Sequence, residues 1–207
     1  MTNKPQRYVL LDRDGVINRR IFGSYVACWR EFEFLPRALE ALRLLAENGY
    51  AGLVISNQSC VGEKLLTVAD LESITHRFLL EVALAGGNII QVYYCLDVAK
   101  DLCNCREPQP GLLERAQLDY SFVPHETYFV GEVPSDVAAA ESAGCPAILV
   151  RRDAFLEKPA AENAEKVASN LYEAAEIIIA RQRSGHSWLQ TPSKVEGRTR
   201  LFHVGQN

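Results

Sequence analysis

The chain has 207 residues, with 22 Lys and Arg set against 26 Asp and Glu, a formal charge of −4 and a pI near 5.6. That length fits one ordinary domain with at most a small insertion, and the acidic background, without a Lys/Arg cluster, argues against a nucleic-acid partner. No run approaches the roughly 18 apolar residues of a membrane span, and the amino terminus lacks a basic segment, apolar stretch and cleavage site, so a cytoplasmic protein without membrane association is expected.

Five apolar runs read as strands: 8–11, 52–55, 89–94, 127–130 and 147–150. The first, Tyr8-Val9-Leu10-Leu11, suits a buried parallel strand and runs directly into Asp12-Arg13-Asp14-Gly15. A helix follows, with Pro36 at its start, Leu39, Leu42 and Leu45 at helical spacing, and Gly49 placed to end it. Thr67-Val68-Ala69-Asp70 opens a second helix that runs to about Ala85, the hydroxyl and the carboxylate three residues on forming a capping box. Pro110-Gly111 precedes a third helix, Pro134 opens a fourth that stops at Gly144, and 171–183 makes a fifth. Strand and helix alternate throughout, which predicts an α/β fold: a doubly wound parallel sheet of about five strands, with no connection long enough for a large cap domain. From Ser184 the chain turns polar and rich in Gly, Ser and Thr, with Trp188, Leu189, Leu201 and Phe202 scattered through it. Residues 1–183 are therefore expected to form the domain, and 184–207 a tail that either drapes over the surface or docks its aromatic residues on a protein partner.

In such a sheet ligands sit at the carboxyl ends of the strands, so the polar residues after each strand fall on one rim. Strand one supplies Asp12 and Asp14, and strand two Ser56-Asn57-Gln58-Ser59. The third adds a cysteine loop with Arg106 and Glu107, and the fourth Glu132 and Asp136. An aspartate in the position of Asp12 can attack phosphorus to form an aspartyl-phosphate, while a second carboxylate, Asp14, protonates the leaving oxygen and later activates water. Hydroxyl and amide groups after strand two can donate to phosphate oxygens, and the acidic residues after strand four can hold Mg²⁺ together with Asp12. Each feature has a plainer alternative when taken singly: an Asp-rich turn, a helix cap, or a solvated helix start. No glycine-rich cradle follows strand one, which argues against a dinucleotide fold.

These residues resemble the haloacid dehalogenase (HAD) superfamily, in its branch of D-glycero-D-manno-heptose 1,7-bisphosphate phosphatases and histidinol phosphatases. The opening motif is Asp12-Arg13-Asp14-Gly15-Val16-Ile17-Asn18 and the second is Ser56-Asn57-Gln58-Ser59. Tyr25-Val26 and Glu33-Phe34 look like the family's substrate loop, and the resemblance runs from about Tyr8 to Arg183. It implies an HAD-like, Rossmannoid fold, a catalytic pair in Asp12 and Asp14, and substrate or phosphate binding by Asn18, Tyr25, Ser56, Asn57, Gln58 and Arg106. It also implies Mg²⁺ held by Asp12, the Asp14 backbone carbonyl and Glu132, with Asp136 supporting the metal from behind. The substrate implied is a phosphorylated sugar such as a heptose bisphosphate, or a similar phosphomonoester.

Six cysteines are present (Cys28, Cys60, Cys95, Cys103, Cys105 and Cys145), three of them within eleven residues. In a reducing compartment such crowding points to a metal rather than disulfides. The family's Cys-x-His, followed after five residues by Cys-x-Cys, here reads Cys95-Leu96-Asp97, five residues, then Cys103-Asn104-Cys105. Cys95, Asp97, Cys103 and Cys105 are thus the expected ligands of a structural Zn²⁺ in a zinc-loop insertion over 95–105, the alternative being three reduced, metal-free thiols.

Several residues depart from the family's pattern, and together they subtract positive charge. Glu107 stands where the family has a phosphate-pairing lysine, Cys60 and Glu63 where it has Gly and Arg, and Glu132-Val133 where it has Asp-Lys. Two readings follow: a magnesium-dependent phosphatase acting through Asp12, or a protein of the same fold that has lost turnover and works by binding a ligand or partner.

Overall fold

The computed structural model describes residues 6–151, 166–183 and 202–204. In chain order the elements are β1 (Arg7–Leu11), α1 (Ala38–Glu47), β2 (Tyr50–Asn57), α2 (Ser59–Gly62), α3 (Val68–Leu84), β3 (Ile89–Cys95), α4 (Gly111–Tyr120), β4 (Phe129–Gly131), α5 (Pro134–Ser142), β5 (Ala147–Val150), β6 (Lys166–Ala168), α6 (Leu171–Arg183) and β7 (Phe202–Val204). All strands run parallel in one sheet of order β6-β5-β4-β1-β2-β3-β7.

Alternation along the strands explains the layers, because successive side chains point to opposite faces. Val9 and Leu11 join Val54, Val92, Tyr94 and Val130 in a core shared with α1, α3 and α6. Leu10 turns the other way, to Leu53, Ile55, Tyr93 and Phe129, under α4 and α5. With both faces covered, the strands need the near-continuous apolar runs that made them legible. α1 buries Ala38, Ala41, Leu42 and Leu45, one helical stripe, and Gly49 at φ +81° ends it. The Thr67 capping box is formed: Thr67 Oγ1 accepts from the Asp70 amide at 3.1 Å, and Asp70 Oδ2 accepts from the Thr67 amide at 3.3 Å.

The sheet has seven strands where about five were expected. Both extra strands are three-residue edge strands. Lys166-Val167-Ala168 buries only Ala168, so it presents no apolar run. Phe202–Val204 falls in the stretch read as a tail and pairs with β3; the rest of 184–207 lies outside the described residues. β2 also runs further than expected, since its pairing with β3 continues to Asn57↔Cys95 and takes Ser56 and Asn57 into the strand end. No helix among the described residues is long and apolar enough to cross a membrane.

Strand order reverses at β1, with β2 and β3 on one side and β4 and β5 on the other. The crevice that this reversal opens lies beyond the carboxyl ends of β1 and β4, where ligands bind in open α/β sheets.

Candidate active site

Asp12 is the first residue past β1 and is nearly buried, at 7 % exposure. Its Oδ1 accepts from the Arg13 amide at 2.6 Å and from Ser56 Oγ at 2.9 Å. Both bonds fall on one oxygen, which leaves Oδ2 as the atom able to approach a substrate. Burial, then the neighbouring Asp136 and Asp14 carboxylates, push the Asp12 carboxyl well above the usual range, against the pull of Ser56 and the Arg13 amide.

Asp14 is held differently. Its Oδ1 accepts from Asn18 Nδ2 at 2.7 Å, and its Oδ2 from Gln58 Nε2 at 2.7 Å and Arg13 Nη2 at 2.8 Å. Burial pulls its proton affinity up, but Arg13, Asn18 and Gln58 outweigh it, and Asp14 lies below the usual carboxylate range. Two carboxylates two residues apart are thus pushed in opposite directions, Asp12 towards holding a proton and Asp14 towards losing one. The agent of the difference is Arg13, whose side chain is fully buried and also reaches Gln58 Oε1 at 3.0 Å and Tyr94 OH at 3.4 Å. No motif or periodicity in the sequence marks Arg13 for this role. Its signal was its position, a charged residue between two aspartates at the end of a buried strand.

Two glycines bring the β1 and β4 loops together. A Cβ on Gly15, at φ +99°, would lie 2.0 Å from Glu132 Oε2, and one on Gly131 would lie 2.4 Å from the Asp136 Cβ. Only a residue without a side chain allows either approach. Glu132 sits over Gly15 and pairs with Arg20 at 3.3 Å. Asp136, 1 % exposed, faces inward, its Oδ2 accepting from the Glu132 and Val133 amides at 2.8 and 3.0 Å. Burial raises its proton affinity, while those amides and Arg20 pull it down.

The residues expected to hold phosphate are drawn into the site's own bonds. Ser56 serves Asp12, Gln58 and Asn18 serve Asp14, and Asn57 Nδ2 donates to Glu107 Oε2 at 3.0 Å. Tyr25 OH donates to Glu63 Oε1 at 3.1 Å at the mouth. Arg106 donates to Ser59 Oγ and, at 3.2 Å, to the Asp97 carbonyl. Glu107 turns inward: it is 8 % exposed, and its Oε1 is buried without a hydrogen-bond donor. Burial first, then Asp136 and Asp12, push its carboxyl well above the usual range, with Arg106 pulling against them.

Beside this crevice the donor atoms of Cys95, Asp97, Cys103 and Cys105 all lie within 4.8 Å of one another. Cys105 Sγ is 2.8 Å from Cys95 Sγ, 3.1 Å from Cys103 Sγ and 3.5 Å from Asp97 Oδ2. Burial pushes the Cys95 thiol up to about 11, and burial with the neighbouring sulfurs raises Cys105 as well. Thiols gathered at such cost are what a metal would convert to thiolates, and the set can hold one.

The HAD-hyrolase-like family model matches residues 104–174. The D-glycero-beta-D-manno-heptose-1,7-bisphosphate 7-phosphatase of Neisseria meningitidis is 34% identical over 146 residues, 70% of this chain and 76% of that protein. The D-glycero-alpha-D-manno-heptose-1,7-bisphosphate 7-phosphatase of Photorhabdus laumondii is 26% identical over 186 residues, 86% of this chain and 100% of that protein. Among solved structures, the D,D-heptose 1.7-bisphosphate phosphatase of B. bronchiseptica complexed with magnesium and phosphate aligns with a TM-score of 0.79 at 27% identity, covering 85% of this chain and 99% of that one. Sequence, fold and the paired aspartates agree: the chain belongs to the HAD-like family of D-glycero-D-manno-heptose-1,7-bisphosphate 7-phosphatases.

Proposed function

We propose that the chain is a magnesium-dependent phosphatase that removes a phosphate from a sugar bisphosphate of the heptose 1,7-bisphosphate kind through an aspartyl-phosphate on Asp12. The observation that carries this reading is the unequal treatment of the Asp12 oxygens: Oδ1 is tied to Ser56 and the Arg13 amide, and Oδ2 is left to attack. In the first half-reaction Asp12 takes the phosphoryl group and Asp14 passes a proton to the leaving oxygen. In the second Asp14 takes a proton from water as the carboxylate, the form that Arg13, Asn18 and Gln58 keep populated. Asn57 and Arg106, on exchanging their present acceptors Glu107 and Ser59, are the donors for the phosphate oxygens with Ser56 beside them, and Tyr25 with Glu63 lines the approach.

The donor set fits Mg²⁺, which takes hard oxygen ligands: Asp12, the Asp14 carbonyl, Asp136 and Glu132. The geometry favours Asp136 as the direct ligand, because it faces Asp12, whereas Glu132 is spent on Arg20 and Gly15. When bound, the cation would offset repulsion between Asp12 and an anionic phosphate. The three thiols and Asp97 suit a structural Zn²⁺. We expect about one zinc per chain in protein purified without chelator; elemental analysis finding none removes that assignment. The cytoplasm is the compartment that suits free thiols and a phosphorylated metabolite.

A second reading, binding without turnover, draws on the buried Glu107 beside Asp12. Phosphate release from heptose 1,7-bisphosphate, histidinol phosphate and an aryl phosphate separates the two. Release by the wild type and none by Asp12→Asn supports the phosphatase. A silent wild type that gains activity on Glu107→Lys supports the second reading.

A further inference from the structure

The hydrogen bonds behind Asp14 do not end at Arg13. Its buried guanidinium donates through Nη2 to Asp14 Oδ2 at 2.8 Å and Gln58 Oε1 at 3.0 Å, and through Nη1 to Tyr94 OH at 3.4 Å. Among the described residues its Nε finds no acceptor, so Tyr94 alone sets the Nη1 side of the fork, with its ring 5.7 Å from the guanidinium carbon. Tyr94 OH in turn lies 2.8 Å from Thr75 Oγ1 on α3, and both residues are buried.

Which of these two hydroxyls donates is decided by the other bond that Thr75 makes. Thr75 Oγ1 stands 2.7 Å from the Leu71 carbonyl, which can only accept, so the single threonine proton goes there. Tyr94 must then donate to Thr75, and its oxygen presents lone pairs to Arg13. The order is fixed: Arg13 to Tyr94, Tyr94 to Thr75, Thr75 to the Leu71 carbonyl. With the tyrosine proton reversed, two donors would face each other in a buried pocket. Bonds aligned in this way polarise one another, so the hydroxyl on α3 strengthens the grip of Tyr94 on Arg13. On the phosphatase reading, on which this inference rests, we propose that Thr75 and Tyr94 are positioning residues for the reaction: through Arg13 they hold the Asp14 carboxylate in place for proton transfer. Neither bonds to Asp14 itself.

Phosphate release from p-nitrophenyl phosphate by the full-length chain with Mg²⁺ tests this, beside urea unfolding of the same proteins. Thr75→Val keeps the branched shape but removes the acceptor of the Tyr94 proton, and is expected to lower kcat about tenfold with KM within about twofold of wild type. Thr75→Ser retains the hydroxyl and should hold kcat within about twofold of wild type. Tyr94→Phe should be slowed about as much as the valine variant, and adding Thr75→Val to it should slow it no further, because the path to Arg13 runs through the tyrosine hydroxyl. A wild-type kcat in Thr75→Val, a serine variant as slow as the valine one, or a further loss in the double variant overturns the proposal. If Thr75→Val fails to fold, an unchanged kcat in Tyr94→Phe does the same. A wild type that releases no phosphate refutes the phosphatase reading instead, and the link is then read from unfolding alone. Thr75→Val should lower the urea midpoint at least about twice as much beside Arg13 as in an Arg13→Met background, and equal losses would show that Thr75 and Arg13 are not linked.

Discussion

Replacing Arg13 with methionine keeps the length of the side chain and removes its charge from a fully buried position. The Arg13–Asp14 pair is 2.8 Å long, with 1 % and 23 % of the two side chains exposed. At that distance and an effective dielectric near 20 the gross attraction is about 6 kcal/mol, an upper bound from which the desolvation of both ions must be taken. Removing one partner of a buried pair typically costs about 3–5 kcal/mol, and Asp14 retains the bonds from Asn18 and Gln58, so the low end, about 3 kcal/mol, is expected. With a urea m-value of about 1–3 kcal/mol per M, the midpoint should fall by about 1 M or more at pH 7. The pH dependence follows from Asp14. Its folded-state proton affinity is lowered, so its contribution is present above the unfolded pKa of about 3.9 and is lost as pH falls through the folded value. The gap between wild type and Arg13→Met should therefore be widest at neutral pH and narrow below about pH 4. As a comparison, Arg43→Met breaks the exposed Arg43–Glu47 pair and should cost less than about 1 kcal/mol at every pH. A loss below about 1 kcal/mol for Arg13→Met at pH 7, or a gap that stays constant into acid, would refute the reasoning.

Gly15→Ala should impair the site even if the fold survives, because its Cβ would meet Glu132 Oε2 at 2.0 Å on a backbone at φ +99°. A kcat/KM at least about tenfold below wild type is expected, and an unchanged value would show that the two loops part without consequence. Thr67→Ala removes the capping box on α3 and should lower stability by about 1 kcal/mol in urea unfolding while leaving phosphate release intact. Thiol titration at pH 8 should find one fast group in the zinc-loaded protein: Cys28 is exposed, whereas Cys60 and Cys145 are buried and burial pushes Cys145 up to about 12. Chelation should release three more thiols, from Cys95, Cys103 and Cys105; four fast groups before chelation would argue against the metal.

The fold was legible where a strand is buried on both faces, since burial demands a continuous apolar run. β1, β3 and β5 match their expected ranges to within a residue, and α6 matches at both ends. The edge strands were not legible, because an edge needs little apolar surface: Lys166–Ala168 is only three residues long, with two of the three exposed. In the site, Asp12, Asp14, Ser56 and Asp136 could be placed because each lies at or just beyond the end of a readable strand. What each does there could not. Asn18 and Gln58 look like substrate ligands in one dimension, yet both spend their amides on Asp14, and the buried Arg13 that sets Asp14 apart from Asp12 has no periodic signature at all.

The cysteine loop and the crevice around Asp12 are one mechanical unit, and this bears on how Glu107 can act. Pairing of β2 with β3 sets Asn57 against Cys95, and the Gln58 amide donates to the Cys95 carbonyl at 2.7 Å. From the other end of the loop, Arg106 grips the Asp97 carbonyl and Ser59, while the Glu107 amide and carboxylate bracket the Asn57 side chain at 3.3 and 3.0 Å. A loop of few apolar residues cannot hold a buried carboxylate against two others by packing alone. Ligand bonds at Cys95, Asp97, Cys103 and Cys105 would supply the rigidity, because Cys105 is two residues from Glu107. On that argument a metal held by the cysteine loop would do more than stabilise the domain: it would fix a carboxylate in the crevice that would otherwise move out into water.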